Sequence, residues 1–153
     1  MIQIQRAQNT HLNELAQLFD AYRVFYRKES NLDGAKCFLS DRMDKKESII
    51  FVALFKNEVV GFTQLYPLFS STNMTPLWLL NDLYVAKQHR GNQISKGLIK
   101  AAQEHCKITK ANGIILETEK NNVPGNALYP KMGFARDQEH NYYFWENPIA
   151  PSS

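Results

Sequence analysis

The chain has 153 residues, 44% of them hydrophobic and 22% charged, and eighteen Lys/Arg against fifteen Asp/Glu leave a net charge of +3. That is enough chain to bury the core of one domain, and with no basic block it argues against a nucleic-acid binder working through a clustered basic face. Two cysteines, Cys37 and Cys106, and four scattered histidines offer no disulfide framework, CxxC pair or metal-ligand spacing, so no metal is expected and both thiols read as buried. The first residues lack a signal-peptide layout and no apolar run reaches membrane-spanning length, so a cytoplasmic protein without a membrane partner is expected.

Ile2 and Ile4 alternate with Gln3 and Gln5 as a half-buried strand does. Thr10 is placed to cap a helix carrying Leu12, Leu15, Ala16, Phe19, Tyr22 and Tyr26 on one face. Asn31 and Asp33 start a second helix with Ala35, Phe38, Leu39, Arg42 and Met43 on one side. Residues 49–55 form a strand buried on both faces, and 59–66 return as its hairpin partner, with Gly61 marking a bulge or a close approach. Residues 67–76 read as a polar loop. Residues 77–86 form a strand that runs through a short basic turn into a helix opening at Ile94. Asn112-Gly113 is the expected left-handed end of that helix. Ile114-Ile115-Leu116 is a buried strand, and Pro124 opens a short helix that Gly133 closes. Phe134-Ala135-Arg136 and Tyr142 to Trp145 form a final strand pair. The order β-α-α-β-β-β-α-β-α-β-β predicts an α/β (α+β) fold with a mixed sheet flanked by helices. One domain is expected over residues 1–147, followed by a loose tail at 148–153.

The turn between the fourth strand and the third long helix is the chemically suggestive stretch. First-turn helix N–H groups have no intrahelical acceptor, so a strand entering a helix through a tight basic turn makes a cradle for phosphate. An ordinary βα connection is the alternative on local chemistry alone.

Gln88-His89-Arg90-Gly91-Asn92-Gln93-Ile94 resembles the Q/R-x-x-G-x-G/A acetyl-CoA signature of the GNAT superfamily of N-acetyltransferases. Asn122 to Phe134 is similar to that family's N-x6-Y-x-x-x-G-F segment, with Tyr129, Gly133 and Phe134 in register. Gln93 stands where glycine or alanine is usual, and Ser95 replaces another frequent glycine. The resemblance implies a mostly antiparallel GNAT-like sheet and acetyl-CoA as cosubstrate, with Gln88, Arg90, Gly91, Asn92, Gln93, Ile94 and Ser95 on its pyrophosphate. It also implies Leu83 and Val85 pairing with the pantetheine amides through their backbone, and Asn122 on the cofactor arm.

Amide formation from a thioester needs a neutral amine, and an amine of pKa about 10.4 is neutral in only about one molecule in two to three thousand at pH 7. A base is therefore useful. Asp82, on the strand before the cradle, is the first candidate and Glu117 the second. A hydrogen bond to a loop is the alternative for Asp82. Tyr129, a phenol with an ordinary pKa of about 10, matches the position from which relatives protonate the departing thiolate; a core tyrosine is its alternative. With no nucleophile motif, direct transfer to a primary amine is the simpler chemistry.

The acceptor is left open between a small amine such as a polyamine, held by Tyr22, Tyr26 and Asp20 or Asp82, and a protein lysine or N-terminus. A non-catalytic acyl-CoA sensor is the rival class. The aromatic run from Tyr142 to Trp145 either pairs across a homodimer or completes the chain's own sheet.

Overall fold

The structure is a computed structural model that describes residues 1–151; the end of the expected tail, Ser152 and Ser153, lies outside the described residues. The chain divides into two compact units, Met1–Glu117 and Thr118–Ser153.

The first unit is built on one five-stranded sheet in the order β1 (Ile2–Arg6), β2 (Ile49–Phe55), β3 (Glu58–Ser70), β4 (Thr75–Val85) and β5 (Ile114–Ile115). All neighbours are antiparallel except β4 and β5. Helices α1 (Leu12–Phe25) and α2 (Leu32–Asp44) cover one face, burying Leu15, Phe19, Ala35 and Leu39 against Ile50, Val52, Leu54 and Phe62. Helix α3 (Ile94–Ile108) covers the other, setting Ile94 and Leu98 against Ala53, Val60 and Val85. Alternate β2 residues therefore face different helices, which is why this strand reads as an unbroken apolar run.

Two boundaries and the burial of one cysteine differ from the sequence reading. Thr10 lies within a 3-10 turn at Asn9–His11, and α1 begins after His11; the Gln8 N–H donates to His11 Nδ1 at 3.0 Å. Residues 67–76 are not a loop but the outer half of the β3–β4 hairpin. Pro67 is tolerated there because it faces Trp78, whose own N–H turns away to Gly113 O at 3.1 Å, so no ladder bond is lost. Cys37 is exposed rather than buried, because α2 turns Ala35 and Leu39 inward; Cys106 is buried.

Helices α1, α2 and α3 end in one way. Arg27 (φ 69°), Lys46 (φ 54°) and Lys110 (φ 56°) each take the left-handed position, and the next N–H closes on a carbonyl five residues back: Lys28 on Arg23, Glu47 on Arg42, Ala111 on Cys106. The left-handed residue that closes α3 is Lys110, not Asn112 or Gly113. A cation so close to a helix C-terminus is favoured by the macrodipole, which offsets part of the left-handed strain.

The second unit holds α4 (Val123–Lys131). Asn122 caps it by accepting from the Gly125 N–H at 3.2 Å, and its Nδ2 donates to Thr118 Oγ1 at 2.8 Å. Gly133 (φ 91°) ends it: the Gly133 N–H donates to Pro130 O, the Phe134 N–H to Tyr129 O, and the Phe134 ring meets the Tyr129 ring edge-on at 5.8 Å. Thus Tyr-x-x-x-Gly-Phe spells out a helix stop, with the glycine in the left-handed position and the aromatics forming its hydrophobic clasp. A Cβ on Gly133 meets nothing within 4 Å. Gly133→Ala should therefore cost about 1–2 kcal/mol of purely conformational strain, read as a lower melting temperature.

The expected strand pair at the C-terminus does not form. Phe134 to Arg136 and Tyr142 to Trp145 are irregular, and the four aromatic side chains of the latter are 78–85% exposed. Between them Asp137 accepts from the Glu139 and His140 N–H groups, a local turn that competes with a ladder. An isolated two-stranded hairpin is marginal, and no other strand lies among the described residues of this unit.

Candidate active site

Two features of β4 build the site. First, β5 pairs with it only at Trp78 and Leu79, so among the described residues the strand beyond Leu79 is laddered on the β3 side alone. The Ala86 N–H donates to Val60 O across β3 at 2.8 Å. By alternation, the backbone groups of Tyr84 face β3 while those of Leu83 and Val85 face the edge that β5 leaves open. Leu83 and the Val85 N–H thus lie where an extended amide chain can add as a strand, the Val85 carbonyl being taken by Arg90.

Second, β4 carries a bulge. Gln64 pairs with Asp82 and Leu65 with Leu80, leaving Asn81 as the extra residue. Bulges re-aim side chains, and here Asp82 is turned onto the α1 face and buried to 6% exposure. Its Oδ2 accepts from Gln64 Nε2 at 2.8 Å and from Asn81 Nδ2 at 3.2 Å, and the Tyr22 phenol also bonds the carboxyl. The Thr63 hydroxyl donates to the Asp82 carbonyl at 2.8 Å. Burial raises the pKa of the Asp82 carboxyl above the ordinary value, and the Gln64, Asn81 and Tyr22 hydrogen bonds pull the other way. Beside it, burial and the Asp82 charge push the Tyr66 phenol up to about 12, so Tyr66 holds its proton at neutral pH.

Tyr22 is the hub of an aromatic cluster, with ring centroids 5.7 Å from Phe62, 5.6 Å from Tyr84 and 5.1 Å from Tyr26. Asp20 is used elsewhere: it accepts from Ser30 Oγ at 2.6 Å and the Asn31 N–H at 2.7 Å, which tie down the α1–α2 connection and lower its pKa. Glu117 is exposed at the end of the first unit.

At the top of β4, Lys87–His89 form a 3-10 turn, Gly91 (φ 84°) and Gln93 (φ 65°) take left-handed conformations, and α3 begins at Ile94. Gln93 makes no side-chain cap and no acidic residue occupies the first turn, so the leading N–H groups of Ile94, Ser95 and Lys96 are aimed for an anion. Asn92 braces the turn by donating to His89 O at 3.1 Å. Arg90 folds back on β4: its Nε donates to Val85 O at 3.0 Å, and its guanidinium lies 5.2 Å over Tyr84 and 5.7 Å over Phe25. A groove of about 590 Å³ beside this end of β4 is lined by Glu14, Gln17 and Ala21 of α1 together with Tyr84, Lys87 and Gln88.

The residue matching the usual glycine or alanine is thus held left-handed, a conformation glycine adopts without strain. Gln93 is exposed, so Gln93→Gly should relieve about 1–2 kcal/mol of strain and give back about 0.5–1 kcal/mol in chain entropy. The expected result is a small rise in melting temperature with no loss of acetyl-CoA affinity.

The family model for the acetyltransferase (GNAT) family matches residues 14–134. The chain belongs to the GNAT family. An uncharacterized N-acetyltransferase, YhfO of Bacillus subtilis (strain 168), is 37% identical over 140 residues, covering 92% of this chain and 94% of that protein. A probable acetyltransferase of Haemophilus influenzae is 32% identical over 117 residues, covering 76% and 80%. The crystal structure of a probable acetyltransferase superposes with a TM-score of 0.91 at 36% identity, covering 98% of this chain and 99% of that one. The protein is therefore an acetyltransferase with the GNAT fold, a family that uses acetyl-CoA as cosubstrate.

Of the residues expected at a GNAT site, Asp82, Leu83, Val85 and Gln88 to Ser95 follow one another along β4 and into α3, while Asn122 and Tyr129 belong to the second unit. The sequence reading missed Gln64, Ser48 and Tyr66. Polar Thr63, Gln64 and Tyr66 in the middle of a mostly apolar strand were the available signal.

Proposed function

We propose that the protein transfers the acetyl group of acetyl-CoA directly to the primary amine of a small cationic molecule such as a polyamine, with residues 1–147 acting as one acetyltransferase domain. The observation that carries this reading is the buried Asp82 carboxyl beside the Tyr22 cluster, on a strand whose outer edge is open from Leu80. An ammonium is attracted to a carboxylate ringed by aromatic faces, and proton loss there leaves the neutral nucleophile.

In this reading pantetheine amides lie along Leu83 and Val85. The pyrophosphate rests on the backbone from Gln88 to Ser95, with Arg90 adding charge at its edge. Asn122 contacts the cofactor arm. The amine nitrogen attacks the thioester carbonyl, whose developing oxyanion is met by a β4 backbone N–H. Asp82 takes the proton that leaves the ammonium; the C–N bond then forms, the C–S bond breaks, Tyr129 protonates the CoA thiolate, and the second N–H proton, lost as the amide forms, restores the Tyr129 phenol. The raised Asp82 pKa brings its basicity closer to that of the amine, which favours proton transfer.

Titration calorimetry with acetyl-CoA tests the cosubstrate half. One molecule should bind per chain, weakening with salt as expected for a phosphate-anchored ligand; absence of binding would overturn the reading.

A further inference from the structure

Gln64 is fully buried, and its amide is pinned at both ends: Ser48 Oγ donates to Oε1 at 2.8 Å, and Nε2 donates to Asp82 Oδ2 at 2.8 Å. Ser48 is itself buried. A flipped amide would set its oxygen against the Asp82 carboxylate, so the acceptor-only carboxylate fixes which end of Gln64 it meets, and the Ser48 hydroxyl satisfies and restrains the other end. Neighbouring core positions, Val52, Phe62 and Leu65, are apolar and equally buried. A buried amide–hydroxyl pair costs more than apolar packing unless its hydrogen bonds are used. The only charge this chain of donors leads to is Asp82.

We infer that Gln64, locked by Ser48, is a positioning residue that orients Asp82 and holds its carboxyl in the ionised, proton-accepting form. The inference rests on the reading of Asp82 as the base. The other groups on this carboxyl are the Tyr22 phenol from α1 and the Asn81 amide from β4, with Tyr66 of β3 beside it and Arg42 of α2 acting on Tyr66. Tyr66 keeps its proton, and Arg42 is engaged with Glu47 at 3.1 Å and lies over Phe38 at 4.5 Å. Gln64 therefore gives a hydrogen bond to the carboxylate shorter than that of Asn81, 2.8 Å against 3.2 Å, and one open to a single substitution.

The test is the pH dependence of kcat/KM for Gln64→Met and Ser48→Ala beside the unaltered protein and Asp82→Asn. A hydrogen bond to a charged group is worth about 1.5–3 kcal/mol, or about one to two pKa units. The acid limb should move up by about that much in Gln64→Met and by less, in the same direction, in Ser48→Ala, with KM for acetyl-CoA unchanged. An acid limb that stays in place in both variants overturns the inference, whatever happens to the maximal rate. If Gln64→Met does not fold, Ser48→Ala alone decides. Failure of the underlying reading looks different: Asp82→Asn would then keep the acid limb of the unaltered protein.

Discussion

Asp82→Asn should lower kcat/KM by about a hundredfold or more at neutral pH, the scale of a lost general base, while leaving the melting temperature equal or higher. The two halves of this outcome have one cause. Burial lifts the Asp82 carboxyl above its unfolded value. The folded state then binds this proton more tightly than the unfolded chain, so the contribution to stability is fully present below the unfolded pKa and is lost as pH rises through the folded one. Around neutrality the ionised carboxylate is a cost the fold carries. Asparagine keeps an oxygen for Gln64 Nε2 and removes the charge. The stability advantage of the variant should therefore grow as pH rises above the ordinary carboxylate range and vanish below it. Thermal melts across pH check the sign, and steady-state kinetics checks the loss. An Asp82→Asn protein that melts lower at neutral pH and keeps its rate would make Asp82 a structural residue.

Tyr129→Phe should lower kcat by about a hundredfold, since the hydroxyl that donates the proton is removed and general acids contribute on that scale. Acetyl-CoA affinity should stay within about twofold. The ring that Phe134 meets at 5.8 Å is retained, as is the carbonyl that accepts the Phe134 N–H. Tyr129→Ala separates the two duties of this residue, because it also removes the clasp that ends α4. A Tyr129→Phe protein with an unchanged rate would leave Tyr129 only its part in that clasp.

The elements that position the first unit's part of the site were legible because periodicity and turn chemistry agreed. The unbroken apolar β2, the basic turn ahead of Ile94 and the Asn31 cap each have a local cause. Asn31 accepts from the Gly34 N–H at 2.9 Å, as its place in the sequence predicts. Gly61 proved to be both a bulge neighbour and a close approach, with a Cβ there 3.2 Å from the Tyr84 carbonyl. What stayed hidden was set by long-range pairing. Pro67 argued for a loop because nothing nearby reveals that it faces a residue bonded the other way. Lys110 gives no warning that it takes a glycine's conformation, since its charge offsets the strain. The donors around Asp82 come from Tyr22, Gln64 and Asn81, and only the sheet register and α1 bring the first two to it. The C-terminal aromatics read as a strand because β propensity reflects packing against neighbours, and Tyr142 to Trp145 have no such neighbours among the described residues of their unit.

Acetyl groups should pass from acetyl-CoA to a small cationic amine. Acetyl-labelled acetyl-CoA, supplied with the protein and a mixture of polyamines, amino acids, aminoglycosides and lysine peptides, tests it by mass spectrometry of every component. The label should appear on a small amine, with one CoA thiol released per amide formed and little of either with Asp82→Asn. Label confined to the peptides, or tight CoA binding with no labelled product, would contradict it.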